Sequence, residues 1–101
     1  VVLFRFKDDT SSEKVKEIEN AFCALPGKID AIHDFEWGTD VSVEVKTQGF
    51  THCFMVTFRN ETDRDTYLPH PAHEEFRAIM RPFLEKGLVI DYWAETGFNI
   101  Q

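Results

Sequence analysis

The sequence predicts an α+β fold of the ferredoxin-like kind, an antiparallel four-stranded sheet with helices on one face in the order β-α-β-β-α-β. Three observations lead to it. The chain has 101 residues, enough for one core, so residues 1–101 are read as a single domain. Apolar residues alternate with period two in four stretches. Between them lie helix-spaced stretches, the second split by prolines, so helices connect strands rather than follow them as a block.

Val1 to Lys7 reads as the first strand. Val2, Phe4 and Phe6 share one face; Val1 and Leu3 begin the other, which ends in Arg5 and Lys7. A strand apolar on both faces needs cover on both. Thr10-Ser11-Ser12-Glu13 has the capping-box pattern, with Thr10 as N-cap and Glu13 reaching back to its N–H. The helix that follows puts Val15, Ile18, Phe22 and Leu25 on one stripe, and Pro26-Gly27 ends it.

Ile29 to Lys46 reads as a long extended stretch. Phe35 and Trp37 alternate with Asp34 and Glu36, and Gly38 marks an expected bulge or bend. Val41, Val43 and Val45 then resume the alternation, and Thr47-Gln48-Gly49 turns the chain. Phe50 to Arg59 is the next strand, with His52, Phe54, Val56 and Phe58 on one face and Cys53, Met55 and Thr57 on the other.

Asn60 caps a short helix, Glu61 to Tyr67, which Pro69 breaks. Pro71 suits the first turn of the next helix, where its missing N–H costs nothing. There Phe76, Ile79, Met80, Phe83 and Leu84 recur at i, i+3, i+4, i+7 and i+8, with Gly87 as the expected C-terminal cap. Leu88 to Ala94 reads as the last strand, and the polar tail beyond it is expected to be loose.

Helices cover one sheet face, and the other keeps apolar side chains. A second copy of the same sheet is the economical cover, which predicts a homodimer built as an α/β barrel with a cavity. The ten phenylalanines, beside two Trp and two Tyr, suit such an interface or a pocket with aromatic walls.

The formal charge of −7 repels phosphate backbones, so no nucleic acid is expected as a partner. No apolar run approaches the ~20 residues of a membrane span, so no membrane is expected either. Cys23 falls in a helix pattern and Cys53 in a strand pattern, without C-x-x-C or Cys/His ligand spacing. Two reduced structural thiols place the protein in the cytoplasm. There is no G-x-S-x-G, phosphate-cradling loop or dinucleotide fingerprint, which disfavours hydrolase, kinase and dehydrogenase readings and leaves no cofactor to expect.

Tyr67-Leu68-Pro69-His70-Pro71-Ala72-His73 is the chemically richest stretch. A histidine beside a tyrosine hydroxyl can move a proton while the hydroxyl steadies an oxyanion. His70 favours a structural reading as a cap or brace at the helix junction; for His73 the two readings balance. A metal site lacks a third and fourth ligand at suitable spacing, and none is expected. His52 alternates with core residues and reads as a satisfied core histidine, with the His70–His73 segment as a candidate partner. Trp37, Phe76 and Met80 read first as core and second as pocket wall.

These residues resemble the stress-responsive dimeric α/β-barrel family. The resemblance rests on Val1 to Lys7, Trp37-Gly38 with Asp40, Gly49-Phe50-Thr51-His52, Tyr67 to His73 and Val89-Ile90-Asp91-Tyr92, in order over nearly the whole chain. It implies the dimeric barrel and a hydrophobic small-molecule pocket. Within the family the chain is also similar to a plant polyketide cyclase that closes a ring by an aldol step. That similarity implies a cofactor-independent reaction on a carbonyl compound with Tyr67 and His73 as the catalytic pair. A further histidine of the cyclase aligns just before Val1, outside this sequence.

Overall fold

In the computed structural model, residues 1–95 are described. Strand β1 (Val2–Phe6) leads to helix α1 (Ser12–Cys23) and a 3-10 turn at Leu25–Gly27. Strands β2 (Asp34–Thr39) and β3 (His52–Thr57) follow, then helices α2 (Glu61–Tyr67) and α3 (Pro71–Met80). A second 3-10 turn at Arg81–Phe83 feeds β4 (Leu84–Val89). The sheet order is β2-β3-β1-β4, with every neighbouring pair antiparallel. This is the ferredoxin-like arrangement that the element order predicts. The polar tail from Thr96 onward lies outside the described residues.

The sequence periods explain the layers. Ile18 and Phe22 of α1 and Phe76 of α3 press onto Phe4 and Phe54 of the central strands, and all five are buried. Phe22 lies at the centre, with ring centroids 4.2 Å from Phe54, 4.6 Å from Phe76, 5.3 Å from Phe35 and 6.0 Å from Phe4. Leu25, Ile29 and Ile32 close the end of this core below α1. On the opposite sheet face, Leu3, Cys53, Met55 and Leu88 lie side by side in the register Leu3↔Cys53 and Leu3↔Leu88. No element of the described chain covers them.

Several boundaries differ from the expected ones, each for a local reason. The cap of α1 is Ser11, whose Oγ accepts from the Lys14 N–H at 3.1 Å, while the Thr10 hydroxyl donates to the Phe83 carbonyl at 3.5 Å. Ile29 to Lys46 is not one extended stretch. Its first residues are a turn, with the Ile29 N–H donating to the Leu25 carbonyl, and β2 starts only at Asp34. The β2–β3 ladder ends at Thr39↔His52, and the segment that leads into β3 turns away at Gln48 and Gly49, both at positive φ. Val41, Val43 and Val45 are left with no strand to pair with and lie 89 %, 95 % and 102 % exposed.

Gly38 forms no bulge. It pairs regularly with Cys53, and the irregularity falls instead between Arg5 and Phe6, opposite β4. Helix α3 stops at Met80 rather than running to Gly87, because Pro82 removes a helix hydrogen bond and crowds the preceding turn. Leu84 therefore begins β4, four residues earlier than expected. Gly87 is a ladder residue opposite Phe4, where a Cβ would come within 3.0 Å of Leu84 Cδ2.

Candidate functional site

The Tyr67–His73 corner is built by two helix ends. Asn60 Oδ1 accepts from the Asp63 N–H at 2.8 Å and starts α2, which delivers Tyr67 to the core at its last turn. Tyr67 is 6 % exposed and packs on Phe58 with ring centroids 5.0 Å apart. Pro69 cannot continue the helix, so the chain turns and restarts at Pro71, the first residue of α3.

The two histidines at this turn make opposite hydrogen bonds. The Ala72 N–H donates to His70 Nδ1 at 3.1 Å, so His70 is the N-cap of α3 and its Nδ1 carries a lone pair. His73 Nδ1 lies 2.9 Å from the Leu68 carbonyl oxygen. A carbonyl only accepts, so this nitrogen carries the hydrogen, and in the neutral ring the lone pair belongs to Nε2. The His73 ring stacks on Tyr67 with centroids 4.2 Å apart and planes 28° apart.

Burial is the main influence on the Tyr67 phenol and raises its pKa; Arg77 pulls it down and Asp91 pushes it up again, leaving it at about 12. The hydroxyl is thus a hydrogen-bond donor through the whole neutral range. Arg77 lies one helical turn beyond His73 and is paired with Glu74 at 3.0 Å.

The remaining candidates divide between core and a second place. Phe76 is 3 % exposed and belongs to the core, with half-buried Met80 packed against it. His52 sits at the far end of β3 from Phe58, on the order of 20 Å away along an extended strand, and Trp37 of β2 pairs with Phe54. His52 is a satisfied core histidine, but its partners are Glu19 of α1, at 2.7 Å from Nε2, and Thr51, at 2.8 Å from Nδ1. The His70–His73 segment is not one of them. Trp37 stacks on the His52 ring at 6.1 Å and on Phe54 at 5.6 Å. Glu19 was open to discovery in the sequence, because an acid beside Ile18 falls on the core-facing stripe of α1.

Two clefts of about 440 Å³ each open on the molecule. The first is bounded by Met55, Phe58, Arg64, Asp91 and Trp93, with Arg64 6.0 Å from the Trp93 ring. The second is bounded by Leu3, Asp40, Phe50, Thr51, His52 and Leu88. Neither is lined by Tyr67 or His73; the first reaches their neighbours, Phe58 and Asp91. Among the described residues, no three His, Cys, Asp or Glu side chains converge as metal ligands would. No helix there is long and apolar enough to cross a membrane. Cys23 and Cys53 are free and exposed.

Comparison with known proteins agrees with this architecture. The family model described as the stress responsive A/B barrel domain matches residues 1–94. The stress-response A/B barrel domain-containing protein HS1 of Arabidopsis thaliana is 44% identical over 91% of this chain and 84% of its own. Olivetolic acid cyclase of Cannabis sativa is 35% identical, covering 91% of each. The structure of a hydroxynitrile lyase from Passiflora edulis superposes with a TM-score of 0.89 at 28% identity, over 97% of this chain and 93% of the other. A dimeric protein of ferredoxin-like fold from Bacteroides fragilis gives a TM-score of 0.71 at 28% identity, over 90% and 89%.

Proposed function

Because this chain belongs to the stress responsive A/B barrel domain family, we propose that it is a homodimer that takes up a small, largely apolar carbonyl compound and works on it by acid–base chemistry without a cofactor. The observation that carries this reading is the paired geometry of His73 and Tyr67. The Leu68 carbonyl holds the His73 proton on Nδ1 and leaves Nε2 as a base. Burial keeps the stacked Tyr67 phenol protonated and able to donate.

In such a site Nε2 of His73 takes a proton from the carbon beside the substrate carbonyl. The Tyr67 hydroxyl donates to the carbonyl oxygen as it becomes an enolate oxygen. The cleft that reaches Phe58 offers Met55 and Trp93 as apolar walls for the rest of the molecule. Two similar proteins bear the names of a cyclase and a lyase, which favours an aldol-type cyclisation or its cleavage counterpart.

The test uses a linear β-polyketide thioester with the wild type, His73→Ala and Tyr67→Phe. His73→Ala should abolish turnover with the melting temperature nearly unchanged. Tyr67→Phe should lower turnover ~100-fold, the scale of one lost oxyanion donor. A wild type that is stabilised by such compounds in thermal shift, yet turns none over, would instead make this a binding protein.

A further inference from the structure

From the buried hydrogen-bond chain that opens on the second cleft, we propose that Glu19, His52 and Thr51 form a separate acyl-transfer site, in which Thr51 Oγ1 is the nucleophile toward small neutral esters. His52 is on the order of 20 Å along the strand from Phe58, and the site shares no residue with the function proposed above, so it stands or falls apart from it.

The chain has a direction. Glu19 Oε2 lies 2.7 Å from His52 Nε2, and the two side chains are 12 % and 7 % exposed. A carboxylate buried this deeply needs a charge-assisted donor, and the Nε2–H supplies it. With the hydrogen on Nε2, Nδ1 of the neutral ring holds a lone pair. Its partner is the Thr51 hydroxyl at 2.8 Å, which in that tautomer is the donor. The hydroxyl proton therefore already points at a base, and the base is oriented by an acid, which is the logic of a nucleophile–histidine–carboxylate triad.

The surroundings hold the ring in place. Phe6 meets it edge-on with centroids 5.1 Å apart, and Trp37 lies parallel to it. From α1 the ring meets Glu19, and beside Glu19 on the same helix stand Lys16, whose Nζ is 3.8 Å from Glu19 Oε1, and Cys23, which feels the Glu19 charge. Asp40 and Lys46, of opposite sign, stand at the cleft itself.

Thr51 is exposed and lines the cleft, so the hydroxyl end of the chain is open to a ligand, while the His52 ring behind it is 7 % exposed. Leu3, Phe50 and Leu88 give an apolar wall for an acyl group, and the balanced charges suit an uncharged ester. The floor belongs to the sheet face without helices. A second copy over that face would turn the cleft into a chamber from which water is partly excluded.

The chemistry balances without an oxidant or reductant. Thr51 Oγ1 bonds to the ester carbon while its hydrogen moves to His52 Nδ1, and Glu19 stabilises the imidazolium. The adduct expels the alcohol, which takes that hydrogen. Water then attacks the acyl-threonine, gives one hydrogen to His52, and the carbon–Oγ1 bond breaks as His52 returns it to Thr51.

The experiment is p-nitrophenyl acetate hydrolysis by the intact protein, followed by peptide mass spectrometry of quenched samples. An acetyl group on the peptide carrying Thr51 is expected, lost in Thr51→Val and regained on the new hydroxyl in Thr51→Ser. Glu19→Gln should slow hydrolysis by at least ~100-fold. Thr51→Val changes an exposed side chain to one of nearly equal shape, so an unchanged melt shows that folding is not the cause. Acetylation confined to Cys53 or to amines, or hydrolysis by Thr51→Val equal to wild type, overturns the proposal.

Discussion

Tyr67 and the histidines beside it show how identical residue types acquire different jobs. In the sequence, His70 of His70-Pro71-Ala72-His73 favours a cap or brace, and His73 stands evenly between a structural and a functional role. What separates them is the turn that Pro69 forces, which leaves His70 before the helix and His73 inside it. No spacing rule encodes that His70 Nδ1 accepts while His73 Nδ1 donates. His70→Ala should therefore cost ~1 kcal/mol, the worth of an N-cap, and leave turnover intact. Tyr67 gives a pH prediction. Its folded pKa of about 12 lies above the usual value of 10.0. The stability tied to the neutral phenol is fully present below the unfolded value and is lost as pH rises through the folded one. Alkaline melts of the wild type should fall across that window more steeply than those of Tyr67→Phe. The difference in phenolate absorbance between the two proteins should appear in the same range.

At the level of elements, period was legible and endings were not. The stripe Ile18–Phe22 lies where helical spacing puts it, and the inward face of β3 runs through His52, Phe54 and Val56 as alternation requires. The α3 stripe overran, because Phe83 and Leu84 keep the helical spacing although Pro82 has already ended the helix. Phe83 consequently sits half-buried in a 3-10 turn, with Lys14 Nζ 4.9 Å from its ring centre. Val41 to Val45 have a strand pattern and no partner strand, a fact about β3 rather than about the valines. Phe22→Ala should cost ~3–5 kcal/mol in urea unfolding, and Phe83→Ala distinctly less, since half-burial forfeits less transfer energy and leaves a smaller cavity. Equal losses would show that the 3-10 turn is part of the central core.

The molecule as a whole is a slab, 44 × 37 × 18 Å. One broad face is helix and the other is bare sheet with Leu3, Cys53, Met55 and Leu88 side by side. Two slabs laid bare face to bare face would be about 36 Å thick, twice the 18 Å of one, which makes a nearly isometric particle. Light scattering at micromolar concentration should give the mass of two chains, and Leu3→Glu should return that of one. The family was readable because its signatures run in order along nearly the whole chain. The Glu19–His52 contact was not, because 33 positions separate the two residues and only folding brings them together. A last consequence concerns time. Phe22 is gripped by rings from β1, β2, β3 and α3 at once, so it cannot turn over unless sheet and helices part for an instant. The exchange rate of its two ring edges, read by NMR line shape, is a clock for the breathing of the interior.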